Sequence, residues 1–270
     1  MTNSIDARAV STPSVAGGTM KKLQDKVAIV TGGGQGVGLG IALAMAAEGA
    51  RIVITGRHDD KLRKAATAIG AHGVEVLTVV GDARKRASAT ATIAATIARF
   101  GRLDILVNNA QSSTPGVALE SIDDETIAMT IESGLLGTLY YMQAGFPHLK
   151  QRGWSIINLG SREGIHGGSG FGIYAATKEG IRGLSRTAAR EWGKHNIRVN
   201  VICPAALSPA AVEYLDKYPD QAKAYLAEIA LGRFGDPQQD IGPIAVFLAS
   251  SDSGYLTGQT LNADGGQAML

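Results

Sequence analysis

What this chain has little of narrows its possibilities first. One cysteine, Cys203, among 270 residues excludes an intrachain disulfide and any cysteine-rich metal site. A lone thiol at a strand end reads as a small buried hydrophobe rather than a nucleophile. A reducing, cytoplasmic setting suits it. No apolar run reaches the roughly 18 residues needed to cross a bilayer, so no membrane span is expected. Neither sign of charge is in excess. Twenty-six Lys and Arg against 24 Asp and Glu leave a formal net charge of +2. Those cations are dispersed, so no basic face for nucleic acid is expected. Residues 1–20 lack a continuous apolar segment, which argues against a secretory signal, and their small polar composition reads as a mobile extension.

Hydrophobic residues make up 45% of the chain and glycine accounts for 35 positions. That is enough apolar material for a sizeable core, over a length that suits one large α/β domain. Short β-branched runs alternate with Ala-rich stretches. Strands are expected at Val27–Thr31, Arg51–Thr55, Val74–Val80, Leu103–Val107, Ser155–Leu159, Arg198–Ile202 and Thr260–Asn262. Helices are expected at Val37–Glu48, Asp59–Ile69, Thr90–Arg99, Asp123–Arg152, Tyr174–Trp192 and Pro237–Ala249. Apolar strands separated by helices predict a doubly wound parallel α/β sheet, a Rossmann fold covered on both faces. No composition break divides residues 21–270, so one domain is expected. The stretch 205–235 carries two prolines and several aromatics, interrupts the alternation and reads as an irregular lid.

The first strand runs into Thr31-Gly-Gly-Gly-Gln-Gly-Val-Gly38 and then a helix. The G-x-G-x-x-G spacing is absent, and T-G-x-x-x-G-x-G stands in its place. At this position Gly32, Gly34, Gln35, Gly36, Val37 and Gly38 would present backbone N–H groups and a helix N-terminus to a pyrophosphate. The alternative is a merely structural strand-to-helix turn. The second strand ends in Gly56-Arg57. An acid there would bind ribose hydroxyls, whereas an arginine accommodates a 2′-phosphate. Asp59 and Asp60 come later and read as helix-start residues. Arg57 therefore favours NADP(H) over NAD, unless it is a solvated surface residue.

Tyr174-Ala-Ala-Thr-Lys178 puts two side chains on one helix face. A free tyrosine titrates near pH 10, too high for a base at neutrality, and a neighbouring ammonium would stabilise its phenolate. Ser161, thirteen residues upstream, follows a strand at the ligand-binding edge of the sheet. Alone, Y-x-x-x-K is a common helix pattern. Its weight comes from the glycine loop and the serine around it.

With these pieces the chain resembles the short-chain dehydrogenase/reductase family of single-domain oxidoreductases, including 3-oxoacyl-carrier-protein reductases. The matching segments are the glycine loop, Gly81-Asp82-Ala83, Leu106-Val-Asn-Asn-Ala110, Gly160-Ser161, Tyr174-Ala-Ala-Thr-Lys178, Arg198-Val-Asn200, Cys203-Pro204 and Gly258-Gln…Asp264-Gly-Gly266. The resemblance implies that Tyr174 is the general acid/base. Lys178 would hold the nicotinamide ribose and depress the tyrosine pKa, and Ser161 would orient the carbonyl. Asp82 and Ala83 would flank the adenine, and Asn109 and Ala110 would line the cofactor. Pro204, Ala205 and Leu207 would carry backbone facing the nicotinamide. It also implies a homotetramer, no resident metal, and a small-molecule ketone or secondary alcohol as partner.

Three family positions differ. Asn-Asn-Ala-Gly reads Asn108-Asn-Ala-Gln111, and Gly134 occupies the place of the family's fourth catalytic residue, an asparagine. Glycine keeps a backbone carbonyl and permits a kink there. Proline and alanine at Pro204-Ala205 replace the family's Pro-Gly. His166 reads as a loop histidine, since no nucleophile elbow surrounds Ser161. Arg162 and Glu163 are read as solvated charges without a role. The apolar lid, with Phe171 and Ile165, implies a substrate with hydrophobic bulk. Acyl-carrier thioesters, steroids, cyclic ketones and aryl ketones all stay open. A lyase, epimerase or dehydratase on the same fold, or a cofactor-binding regulator, are the rival classes.

Overall fold

The computed structural model describes residues 21–269, so the extension expected over residues 1–20 lies outside the described residues. Strand β1 (Val27–Thr31) is buried at all five positions. Such a run forms a strand when both of its faces are covered. Val27 and Ile29 enter one apolar cluster with Val53, Leu106, Ile156 and Val199. Ala28 and Val30 enter the other with Ile52, Ile54, Val107 and Ile202. The pleat thus sends alternate side chains to two cores, one on each face. Each fully buried Val, Leu or Ile contributes about 1.5–3 kcal/mol relative to an exposed one.

The remaining strands are β2 (Arg51–Gly56), β3 (Val76–Val80), β4 (Ile105–Asn108), β5 (Ser155–Leu159), β6 (Arg198–Pro204) and β7 (Thr260–Ala263). They form one seven-stranded sheet in the order β3-β2-β1-β4-β5-β6-β7, with every pair parallel. Chain direction across the sheet reverses between β1 and β4. In an open α/β sheet the ligand crevice lies at that switch, beyond the strands' carboxyl ends. The doubly wound, Rossmann-type arrangement expected from the alternation is the one observed.

The helices are α1 (Gly36–Ala47), α2 (Asp59–Gly70), α3 (Arg86–Phe100), α4 (Asp124–Ile131), α5 (Gly137–Leu149), α6 (Arg162–His166), α7 (Gly172–Trp192), α8 (Pro209–Lys217), α9 (Pro219–Ala227) and α10 (Gly242–Ala249). Several differ from expectation. The long middle helix is not uniform: α4 and α5 are joined by a π-helical turn, Glu132–Leu136, with Gly134 at its centre. Helix α3 begins four residues early, at Arg86, and its first turn buries Ala89 in the core while Arg86 donates to Gln143 of α5. The stretch 205–235 is not irregular. It folds largely into α8 and α9, each opened by a proline whose fixed φ suits a first turn.

Candidate active site

The glycine loop leaves β1 and closes on the end of β4. The Thr31 hydroxyl accepts from the backbone N–H groups of Asn109 and Ala110, both at 3.0 Å. The Asn109 amide in turn donates to the Thr31 carbonyl at 2.9 Å. Gly36 has φ +56°, a conformation costly for any residue with a Cβ. A Cβ on Gly38 would lie 2.5 Å from Asn109 Nδ2, so loop and strand end meet as closely as they do only because that atom is missing. No side chain caps the start of α1, and no acid occupies its first turn. Its leading N–H groups are therefore open to an anion.

At the end of β2, Arg57, His58 and Lys61 border the same cleft, with Lys61 Nζ donating to Gln35 Oε1 at 2.7 Å. Asp59 pairs with Arg63 one turn along α2, and neither Asp59 nor Asp60 reaches the cleft. Asp82 is held by Arg84 at 2.6 Å. The hydrogen bond from Arg84 keeps that carboxyl below the usual range, and Arg57 adds to the effect. This end of the cleft is cationic, and its one lining carboxylate is already partnered.

The other end is built from β5, α6 and α7. Ser161 leaves β5 and caps α6, accepting from the Glu163 N–H at 3.1 Å. Tyr174 and Lys178 project from one face of α7. The Tyr174 hydroxyl hydrogen-bonds Ser161, yet burial pushes the phenol up to about 12, with Glu163 adding to the rise. Lys178 is only 4% exposed, and its Nζ donates to the Leu159 carbonyl at 2.9 Å. Burial lowers its ammonium to about 8. The expected depression of the tyrosine by Lys178 is thus not met. The ammonium turns to a strand carbonyl, 5.5 Å from the ring centroid, and desolvation of the phenolate dominates.

The cleft encloses about 530 Å³. It brings together Gly32, Gly34, Gln35, Gly36, Val37, Arg57, Asp82, Ala83, Asn109, Ala110, Ser161, Tyr174, Lys178, Pro204 and Ala205. Gly38 stands behind it, against Asn109. Leu207 is 42% exposed and its side chain does not line the cleft; an Ala206–Gly235 bridge pins this segment and the Leu207 N–H donates to the Gly235 carbonyl. The Ala205 N–H is likewise taken, by the Ala263 carbonyl.

Sequence reasoning missed Glu163, which is 8% exposed and lines the cleft rather than lying solvated. The run after Ser161 carried a usable signal, since a serine cap followed by Arg-Glu-Gly-Ile-His can open a helix and turn its second residue inward. His166 ends that short helix, exposed and away from the cleft. Tyr225 and Phe234 of the lid stack at 5.4 Å, and with Phe171, Pro115, Ala211 and Leu215 they give the Tyr174 end an apolar wall. Arg162 reaches across to Glu228 of the lid at 2.6 Å. Among the described residues no cluster of His, Cys, Asp and Glu could hold a metal ion. No helix there is long and apolar enough to cross a membrane.

Comparison with known proteins agrees with this geometry. A family model described as "Enoyl-(Acyl carrier protein) reductase" matches residues 32–268. A 12α-hydroxysteroid dehydrogenase of Clostridium sp. is 44% identical over 248 residues, 89% of this chain and 96% of that protein. A trans-4-hydroxycyclohexanecarboxylate dehydrogenase of Sinomonas cyclohexanicum is 36% identical, covering 91% of this chain and 94% of its own length. Among solved structures, a candidate short-chain alcohol dehydrogenase of Sinorhizobium meliloti 1021 superposes with a TM-score of 0.87 at 32% identity. That match covers 92% of this chain and 98% of the other.

Proposed function

The chain belongs to the short-chain dehydrogenase/reductase family of oxidoreductases, and from that we propose that it interconverts a secondary alcohol and a ketone on a bulky alicyclic substrate, with NADP(H) as cofactor. The observation that carries this reading is the polarity of one cleft. Ser161, Tyr174 and Lys178 stand at its apolar end, and Arg57 and Lys61 at its phosphate-binding end. A hydroxysteroid is the first substrate to try, because the 44% identical relative acts on one and the wall of Phe171, Tyr225 and Phe234 suits a fused-ring body.

The residues fit the cofactor. A cradle that a Cβ at Gly38 would obstruct and an uncapped α1 suit a pyrophosphate. Arg57 suits a 2′-phosphate, and no unpaired carboxylate competes for it. When bound, the nicotinamide supplies or takes the hydride. Tyr174 holds a proton on its hydroxyl and donates it to the substrate oxygen in reduction. Ser161 shares that oxygen and orients it. Lys178 would hold the nicotinamide ribose, its ammonium positioned by the Leu159 carbonyl. A buried lone thiol agrees with a cytoplasmic setting, which forms part of the same reading.

The test is turnover of a 12α-hydroxysteroid, a substituted cyclohexanol and a 3-oxoacyl thioester with each cofactor. The steroid with NADP is expected to give the highest kcat/KM. Arg57→Ala should raise the KM for NADP about tenfold or more, the loss of one charge-assisted contact of about 1.5–3 kcal/mol, and leave that for NAD nearly unchanged. Preference for NAD in the unaltered enzyme would sink the cofactor assignment. Cofactor binding without consumption on any carbonyl would favour a regulator.

A further inference from the structure

Among the described residues two carboxylates line the cleft, Asp82 and Glu163. Asp82 is held by Arg84 at the cationic end. Glu163 stands at the other end and is not held in the same way. It is 8% exposed. Its backbone is fixed: the N–H donates to the Ser161 hydroxyl at 3.1 Å, and the carbonyl accepts from the Gly167 N–H at 2.9 Å. Neither carboxylate oxygen accepts a hydrogen bond among the described residues. The cation beside it, Arg162, stands 3.6 Å from Oε1, beyond hydrogen-bond range, and pairs more closely with Glu228 at 2.6 Å. On another side lies a glycine. A Cβ on Gly168 would collide with Oε2 and stand 2.9 Å from Cδ, so the carboxylate keeps its place only because that atom is missing.

A carboxylate taken out of water without donors is costly, and buried charges in folded proteins are paired or bound to a ligand. The donors near Glu163 are committed elsewhere. Its charge is felt at two phenols of the cleft, Tyr174 and Tyr225, but the first bonds Ser161 and the second Gln267 and Arg162. Phe171, Pro115, Ala211, Leu215 and Phe234 complete this wall and offer no polar side chain. A ligand seated against Tyr174 therefore meets one unfilled polar function, a negatively charged acceptor. We propose that Glu163 is a specificity-determining residue: its carboxylate accepts a hydrogen bond from a second hydroxyl of the ring substrate, apart from the carbon that is oxidised or reduced. This narrows the substrate to a ring system with at least two hydroxyls, or one hydroxyl and the ketone. A ring without the second donor leaves Glu163 unfilled, and a carboxylate on the ring is repelled by it. The inference rests on the alcohol–ketone reading above.

Matched substrates test it. One set is 12α-hydroxysteroids with and without a second ring hydroxyl, placed in turn at different ring carbons. The other is cyclohexanol against a cyclohexanediol and a hydroxycyclohexanecarboxylate. The readout is the ratio of kcat/KM within one enzyme, so general effects of a substitution on turnover cancel. The doubly hydroxylated member is expected to be favoured about ten- to a hundredfold, the range of a hydrogen bond to a charged group, mainly through KM. Glu163→Leu should bring that ratio close to one. Glu163→Gln, which keeps an acceptor without the charge, should retain part of it and admit the carboxylated ring. If Glu163→Leu does not fold, the wild-type and Glu163→Gln ratios decide. The same ligands are titrated calorimetrically into cofactor-loaded Tyr174→Phe, where affinity is read without turnover. Turnover with equal ratios in the wild type, or a preference that survives in Glu163→Leu, would overturn the proposal and leave the alcohol–ketone reading standing. Ordered affinities with no turnover of any member by the wild type would overturn that reading and keep the role of Glu163. Binding of none of these ligands would overturn both.

Discussion

At the residue scale, two groups at one site carry opposite electrostatic burdens. Tyr174 stays protonated well past neutrality, its phenol pushed up to about 12, so the acid needed for reduction is present across the physiological range. The base needed for oxidation is scarce there. Oxidation should therefore accelerate steadily between pH 7 and 10, while reduction is flat and then falls above about 8 as Lys178 loses its charge. Tyr174→Phe should abolish turnover in both directions and leave cofactor binding intact, measured by titration of cofactor fluorescence. Retained turnover would remove Tyr174 from its role.

Lys178 also bears on stability. Its ammonium falls from 10.5 in the unfolded chain to about 8 in the fold. This corresponds to about 3 kcal/mol withheld from stability below pH 8, where both states carry the proton. Between 8 and 10.5 the folded state has released the proton and the unfolded state has not, so stability rises with pH. Lys178→Met should be inactive yet melt higher than wild type at pH 7. The gain is smaller than 3 kcal/mol, because the Leu159 carbonyl loses its donor. The difference should shrink towards pH 10.5. A lower melting temperature at pH 7 would show that the ammonium stabilises the fold.

At the scale of elements, the lid is two helices held at both ends rather than a loose loop. Its start is bridged through Ala206 and Gly235, and its middle is tied to α6 by Arg162 and Glu228. Glu228 is half exposed, so the ion pair is worth little to global stability. It does link the lid to the helix capped by Ser161. Glu228→Ala is expected to raise the substrate KM several-fold, with cofactor KM and melting temperature little changed. A rise in the cofactor KM alone would mean the lid closes over the cofactor and not the substrate.

At the scale of the molecule, the sheet ends in two edges, β3 and β7. All four residues of β7 are only half buried, and Tyr255 and Met269 stand fully or largely exposed. Large exposed apolar groups beside an open edge suit a contact between copies, in keeping with the homotetramer that the family resemblance implies. Light scattering should return about four times the chain mass. A monomer at micromolar concentration would overturn that part of the reading.

Much of this protein is written locally. Strand runs that are apolar at every position, the glycines after β1 and the one-turn spacing of Tyr174 and Lys178 each report a short-range constraint, pleat, tight turn or helix face, that a few consecutive residues impose by themselves. The sheet and most of the cleft lining were legible for that reason. What depended on tertiary structure was of another kind. Burial decided that Tyr174 sits near 12 and that Lys178 turns to Leu159. A backbone bridge decided that Leu207 faces outward, and the path of α6 that Glu163 faces in. The meeting of Gln111 with Gly134, where the carboxamide fills the volume that a Cβ at 134 would need, was invisible as well: as single positions they are two unrelated departures, and only the approach of β4 to the π turn makes them one contact. Local periodicity sets which elements form. The solvation of a charge and the filling of a space depend on neighbours brought together from distant parts of the chain.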